Sequence, residues 1–220
     1  MSNAKTKKRN LSREKIVSKA IKLADKNGLD SLSMRAIAKE LKVEAMSLYN
    51  HIANKSDLID AIVDQIFSEI TWPHESRNWK EAMSVRAVST REILKDHPWC
   101  IPLLESRKTP GHNTLLHHNN VLSCLIESGF SLKLAGHAFS ALDAYTYGFI
   151  MSEQSLPFED DESLQMMAKE MAENFPKEIY PALYDFTVGY VLKPGYSYYS
   201  EFMFGLKMIL DQLERKLSVA

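Results

Sequence analysis

Cysteine is nearly absent from this chain of 220 residues. Cys100 and Cys124 are the only two, far apart and without Cys-x-x-Cys spacing. That scarcity argues against a secreted disulfide scaffold and fits a reducing cytoplasm. Also missing are a nucleophile elbow, a Gly-rich phosphate loop, a dinucleotide fingerprint and any zinc-ligand spacing, so the common enzyme signatures are not met. Acidic and basic side chains that could do chemistry occur singly. No N-terminal apolar segment resembles a signal peptide. The most apolar stretch, Leu132 to Met151, is interrupted by Lys133, His137 and Asp143, which suits a buried helix and not a membrane span. Internal repeats, long low-complexity runs and sustained strict alternation of polar and apolar residues are all lacking.

What is present is helical periodicity, a 45% hydrophobic content that can fill a core, and an uneven distribution of charge. The net charge is −1, yet residues 1–60 hold 13 Lys/Arg against 7 Asp/Glu, while the remainder is acidic. A basic end on an acidic body is expected when only that end meets phosphate, although the tail bearing Lys5, Lys7, Lys8 and Arg9 reads equally as a solvated arm.

The first helix is predicted from the cap Ser12 through Ile16, Val17, Ala20, Ile21 and Leu23/Ala24 to a stop at Gly28. Ser33 caps a short second helix, Lys42-Val43 turns into a third that runs to about His51, and Asn54 or Ser56 starts a fourth ending near Thr71. After a polar boundary at 73–78, helices are predicted over about 79–96, 112–128, 132–152, 162–174, 177–190 and 198–217, with a proline-broken stretch at 98–111. The fold expected is all-α: an N-terminal three-helix helix-turn-helix domain joined to a larger helical domain for ligand binding and dimerisation. The segments are a basic tail (1–10), the helix-turn-helix domain (11–56), a connecting helix (57–72) and the larger domain (73–220).

Ser33 to Lys55, SMRAIAKELKVEAMSLYNHIANK, carries the most information. Ile37, Ala38 and Leu41 share one face, and Val43, Leu48 and Ile52 continue that buried surface beyond the turn. Left outside are Ala45, Met46, Ser47, Tyr49, Asn50 and His51, a small polar-aromatic face with no carboxylate after Glu44. Such a face suits a helix that meets a polyanion in a groove.

The stretch Lys42 to Lys55 resembles the tetracycline-repressor (TetR) family, with Val43 in the turn, Leu48-Tyr49 followed by His51, and Lys55 opening the next helix. Gly28 and the approach Leu32-Ser33-Met34-Arg35 fit as well. Further on, Gly129-Phe130-Ser131-Leu132 and FMFGLKMILDQLERKL (202–217) look like the tetracycline-repressor class of that family. The resemblance implies that Arg35, Ala45, Met46 and Tyr49 read base edges, while Ser33, Ser47, Asn50, His51 and Lys55 hold phosphates. Chemistry agrees: an arginine forks onto guanine, hydroxyls at helix N-termini favour anions, and a lysine adds charge without sequence information. Ala45 and Met46 can offer only apolar contacts, for instance to thymine methyls.

The resemblance also implies a homodimer on a palindromic DNA operator and release by a small-molecule effector. Small residues (Ala135, Ala138, Ser140, Ala141, Ala144, Gly148, Gly205) suit close packing of the helices 132–152 and 198–217, either within one chain or between two. Candidate effector contacts are Arg86, Thr90, Glu105, Val121, Tyr145 and Tyr147. Glu105, Thr109 and Val121 are poor replacements for the class's magnesium–tetracycline ligands, so a different effector is expected. A buried Arg86 would need a carboxylate or an anionic ligand. His117 and His118 are adjacent and point apart on a helix, so with His112 they make an unconvincing metal site. No catalytic residue, metal, cofactor or membrane partner is expected, and the protein is expected in the cytoplasm. The alternatives are a small helical enzyme and a helical adaptor without sequence-specific DNA binding.

Overall fold

A computed structural model describes residues 11–73, 78–104, 106–107, 109–158, 160–174 and 177–218. Every regular element among them is helical. The chain divides into two compact units between Ser128 and Gly129.

In the first unit, α1 (Arg13–Asn27) starts where the Ser12 hydroxyl accepts a bond from the Lys15 amide. It stops at Gly28, whose φ of +76° is open to glycine and costly for other residues. A short 3-10 turn leads to α2 (Met34–Leu41), capped by the Ser33 hydroxyl on the Ala36 amide. Then follow α3 (Ala45–Leu48) and α4 (Lys55–Glu69), the latter capped by Asn54. Ile16, Val17, Ala20, Ile21 and Ala24 of α1 are buried together with Ile37, Ala38, Leu48, Ile52, Leu58, Ile62 and Val63. The sequence pattern anticipated most of this core. Of the pair Leu23/Ala24 it is Ala24 that is buried; Leu41 and Val43, expected inside, are only half-buried, and Val63 joins the interior.

The same unit continues with α5 (Trp79–Asp96), the short α6 (Ile101–Leu104) and α7 (His112–Glu127). α4 packs along α7, and its polar stripe Ser56, Asp60, Asp64 grips the stretch leading into α7. Arg107 forms an ion pair with Asp60 and donates to the Ser56 hydroxyl at 3.1 Å, while Thr109 donates to Asp60 at 3.2 Å. α7 begins at Gly111, which has no capping side chain of its own. Asp64 supplies the cap from α4, accepting from the Thr114 amide (2.9 Å), the Thr114 hydroxyl (3.2 Å) and Asn113 (3.0 Å). A carboxylate there satisfies free amides and the positive end of the helix dipole. A Cβ at Gly111 would fall on the Asp64 side chain, so only glycine allows this approach. Asp25 of α1 ties in the α5–α6 corner, accepting from His97 Nδ1 (2.7 Å) and Trp99 Nε1 (2.8 Å).

The second unit contains α8 (Leu132–Gln154), capped by Ser131, then α9 (Asp161–Asn174), α10 (Pro181–Phe186) and α11 (Tyr198–Leu217). α8 packs on α11. The Tyr145 ring stacks on Phe202 at 5.6 Å, and its hydroxyl donates to the Phe202 carbonyl at 2.8 Å. Gly205 makes room for it, since a Cβ there would strike the Tyr145 hydroxyl. α9 and the π-helical turn Thr187–Val191 after α10 enclose a small core of Leu164, Ala168 and Val191.

Candidate nucleic-acid interface

α2 ends on Lys42, in the left-handed region at φ +56°, and the Val43 amide closes back on the Ala38 carbonyl at 3.0 Å. That tight reversal points the chain into α3. The recognition helix is shorter than expected, a single α-turn from Ala45 to Leu48 followed by turn residues to His51. Its hydrogen bonds continue past that point in mixed spacing, from the His51 amide (2.9 Å) and the Ile52 amide (3.0 Å) both to the Leu48 carbonyl. Tightening of the last turn into 3-10 geometry is the usual way a short helix satisfies its end carbonyls.

Leu48 and Ile52 are both 0% exposed and anchor this segment from beneath. Above them Met46 is 75% and Tyr49 46% exposed, and Asn50 is exposed too. Ala45, Ser47 and His51 are half-buried. Arg35, Ser33 and Lys55 are exposed, Arg35 in the first turn of α2 and Lys55 at the first position of α4. The Ser33 oxygen is taken as an acceptor by the Ala36 amide, which leaves its hydroxyl proton to donate. No carboxylate stands between Ala45 and Asn54.

Sequence spacing gave no sign of Arg13 and Asp57, which meet across 44 residues. Arg13 grips Asp57 with both terminal nitrogens (3.0 and 2.6 Å) and donates to the His51 carbonyl at 3.0 Å. The second Asp57 oxygen also accepts from the Ala53 amide at 2.7 Å. The hydrogen bond between them holds the Asp57 carboxyl below its ordinary range and raises Arg13.

The effector candidates fall in separate units. In the first, Arg86, Thr90 and Val121 are buried on α5 and α7. Arg86 Nε donates to His117 Nε2 at 2.8 Å. Burial, then the neighbouring Arg86 charge, pushes His117 down to about 3, so it is neutral and carries its proton on Nδ1. Phe67 lies edge-on to His117 at 5.3 Å. Thr109 is engaged with Asp60. In the second unit, Tyr147 is buried on α8 and Tyr145 holds the Phe202 carbonyl. Glu105 lies outside the described residues. Among those described, no group of three or more His, Cys, Asp or Glu is placed to hold a metal ion, and no helix is long and apolar enough to cross a membrane.

A three-helix head with an exposed, carboxylate-free recognition turn, followed by a larger set of helices, defines a helix-turn-helix regulator. Residues 16–62 match the tetR family of bacterial regulatory proteins, and residues 72–217 match the tetracyclin repressor-like C-terminal domain. The chain belongs to the TetR family. It is 34% identical over 152 residues to an HTH-type transcriptional regulator of Saccharopolyspora erythraea, covering 69% of this chain and 64% of that relative's length. It is 26% identical over 213 residues to the transcriptional repressor DrrR1 of Streptomyces coeruleorubidus, covering 93% and 77%. Its structure resembles ActR of Streptomyces coelicolor in complex with (S)-DNPA, with a TM-score of 0.74, 25% identity and coverage of 94% and 98%.

Proposed function

We propose that this protein is a ligand-responsive transcriptional repressor that binds a palindromic DNA operator as a homodimer in the cytoplasm, acting by occupancy and not by turnover. One observation carries it. The segment Ala45–His51 exposes Met46, Tyr49 and Asn50 and no carboxylate, while Leu48 and Ile52 beneath are completely buried. Ala45, Met46 and Tyr49 therefore meet base edges, and Arg35 of α2 reads them as well. Ser33, Ser47, Asn50, His51 and Lys55 hold the flanking phosphates.

The homodimer is drawn from the second unit. Phe204 (65% exposed) and Met208 (59%) stand out from α11, while the exposed small residues Ser140, Ala141, Ala144 and Gly148 line α8. Large knobs and a small-residue groove complement each other in a symmetric pair. Two copies then offer two recognition turns to successive major grooves. We assign residues 11–56 to DNA recognition, 57–72 to connection and 73–220 to effector binding and dimerisation. ActR was solved with (S)-DNPA, which supports a small-molecule effector here too. Within the first unit, Arg86, Thr90 and Val121 are its proposed contacts; Tyr145 and Tyr147 are proposed separately, as contacts within the second. The grip of Asp60 and Asp64 on the 107–114 stretch supports a path from effector to head.

Binding-site selection with the purified protein tests this. Enrichment of a palindrome, bound saturably and resisting random competitor DNA in a gel shift, is the expected result. Recovery of no common sequence, with only weak salt-sensitive binding, would refute it.

A further inference from the structure

A recognition helix of one turn cannot orient itself. So short a helix has no independent stability and takes its direction from what surrounds it. At its start the Lys42 reversal fixes it to α2, and on its underside Leu48 and Ile52 are locked into the core. Its far end, His51 to Ala53, lies outside any helix. The Leu48 carbonyl and the buried Ile52 hold part of it, but the His51 carbonyl and the Ala53 amide bond to side chains from elsewhere.

Those side chains are Arg13 and Asp57. Arg13, the first residue of α1, donates one bond to the His51 carbonyl and two to Asp57. Asp57, in the first turn of α4, returns a bond to the Ala53 amide. Four bonds thus join α1, the strip after the recognition turn and the start of α4 in one closed circuit. Resting on the DNA-binding function proposed above, we propose that Arg13 and Asp57 are positioning residues for sequence recognition: the pair sets the angle at which Ala45–Asn50 meets base edges. Because the Arg13 charge is matched by Asp57, the pair contributes to telling sequences apart and not to general attraction for phosphate. The opposing assignment makes Arg13 a phosphate contact, since it is basic and partly exposed.

The experiment compares wild type with Arg13→Ala, Arg13→Lys, Asp57→Ala, Asp57→Asn and the double alanine variant. Each is titrated at several salt concentrations against the selected operator and a scrambled duplex, with helicity and thermal midpoint measured alongside. Positioning predicts that either alanine variant lowers the ratio of specific to non-specific affinity about tenfold, with non-specific affinity and salt dependence unchanged. The double variant is no worse than the singles, because both remove one circuit. Asp57→Asn, which keeps an acceptor for the Ala53 amide, recovers part of the ratio. An unchanged ratio overturns the proposal. So does an equal loss on both duplexes with a shallower salt dependence, which marks a phosphate contact. If specificity falls only in variants that have also lost native helicity at the assay temperature, the pair is structural and the proposal fails. A wild type that selects no operator is a different result: it removes the regulator function itself, before any variant is compared.

Discussion

Two surfaces of this chain expose large side chains, and their surroundings differ. In the head, Met46 and Tyr49 project from a single helical turn and its C-terminal end, with Ser47 and Asn50 on the same segment, and polar bonds from α1 and α4 fix its far end. In the second unit, Phe204 and Met208 project from a helix of 20 residues, on a unit whose other long helix exposes alanine and glycine. The first surface is small, polar-edged and free of carboxylates, and hydrated DNA can cover it. The second is long and apolar, and leaving it in water forgoes about 25 cal/mol per Å² of buried apolar area. Similar exposure of an apolar side chain therefore points to different partners, and the neighbours decide which.

The sharpest way to break this contrast is to charge the second surface. Phe204→Glu should split the proposed homodimer, seen as halved mass in sedimentation, and leave the head folded. Operator affinity should then fall toward the non-specific level, a loss of about 10³-fold or more. A variant that stays dimeric, or a monomer that keeps full operator affinity, would show that the α8/α11 face is not the interface that matters. Arg35→Ala should do the reverse. The dimer stays intact, operator binding weakens by about 1–3 kcal/mol, and discrimination relaxes at one base position in a repeated selection. Equal weakening on every sequence would move Arg35 from the bases to the backbone.

The two regions were unequally legible in the sequence. The head is legible because its signals are local: Ser12, Ser33 and Asn54 cap their helices as their types demand, and Gly28 takes the positive φ that ends α1. What escaped is long-range. Nothing in the spacing joins Arg13 to Asp57 or brings Asp64 of α4 onto the first turn of α7. Periodicity overestimated the recognition helix because Tyr49, Asn50 and His51 continue a helical pattern that the backbone tightens into turns. The same limit applies to the interior: composition marks Arg86 as costly if buried, but could not foresee that one of its bonds goes to a neutral histidine.

pH tests one buried group of the first unit against a half-buried one of the second. His117 in the first unit is held neutral down to about 3, whereas an unfolded histidine takes a proton near 6.5. Between those values the unfolded chain binds more protons, so stability is fully present above 6.5 and is lost as pH falls, by up to about 1.4 kcal/mol per pH unit for this one group. In the second unit burial and the nearby Glu201 push Tyr196 up to about 12, so its contribution is intact below 10 and lost as pH rises from there. Acid should therefore weaken the first unit through His117, whereas alkali acts on both units, because burial also pushes the Cys100 thiol of the first unit up to about 12. Denaturation monitored from pH 4 to 7 in wild type and His117→Gln tests the acid side, and an equally steep pH dependence in the variant would rule out His117 as the source.

The smallest effect expected is also the most discriminating about what the basic end does. Lys55 is exposed at the first position of α4, and among the described residues no ion pair engages it. If it neutralises one phosphate, Lys55→Ala removes one released counterion. The slope of log affinity against log salt should then fall by about 0.9, on operator and scrambled duplex alike. Base discrimination should not move, because a flexible ammonium on a phosphate carries no sequence information. This separates charge from shape within the head itself: Arg35 changes which sequence is bound, and Lys55 changes how much salt the complex tolerates. If Lys55→Ala altered the selected sequence and left the slope alone, the division of the exposed face into base-reading and phosphate-holding residues would have to be redrawn, starting from Lys55.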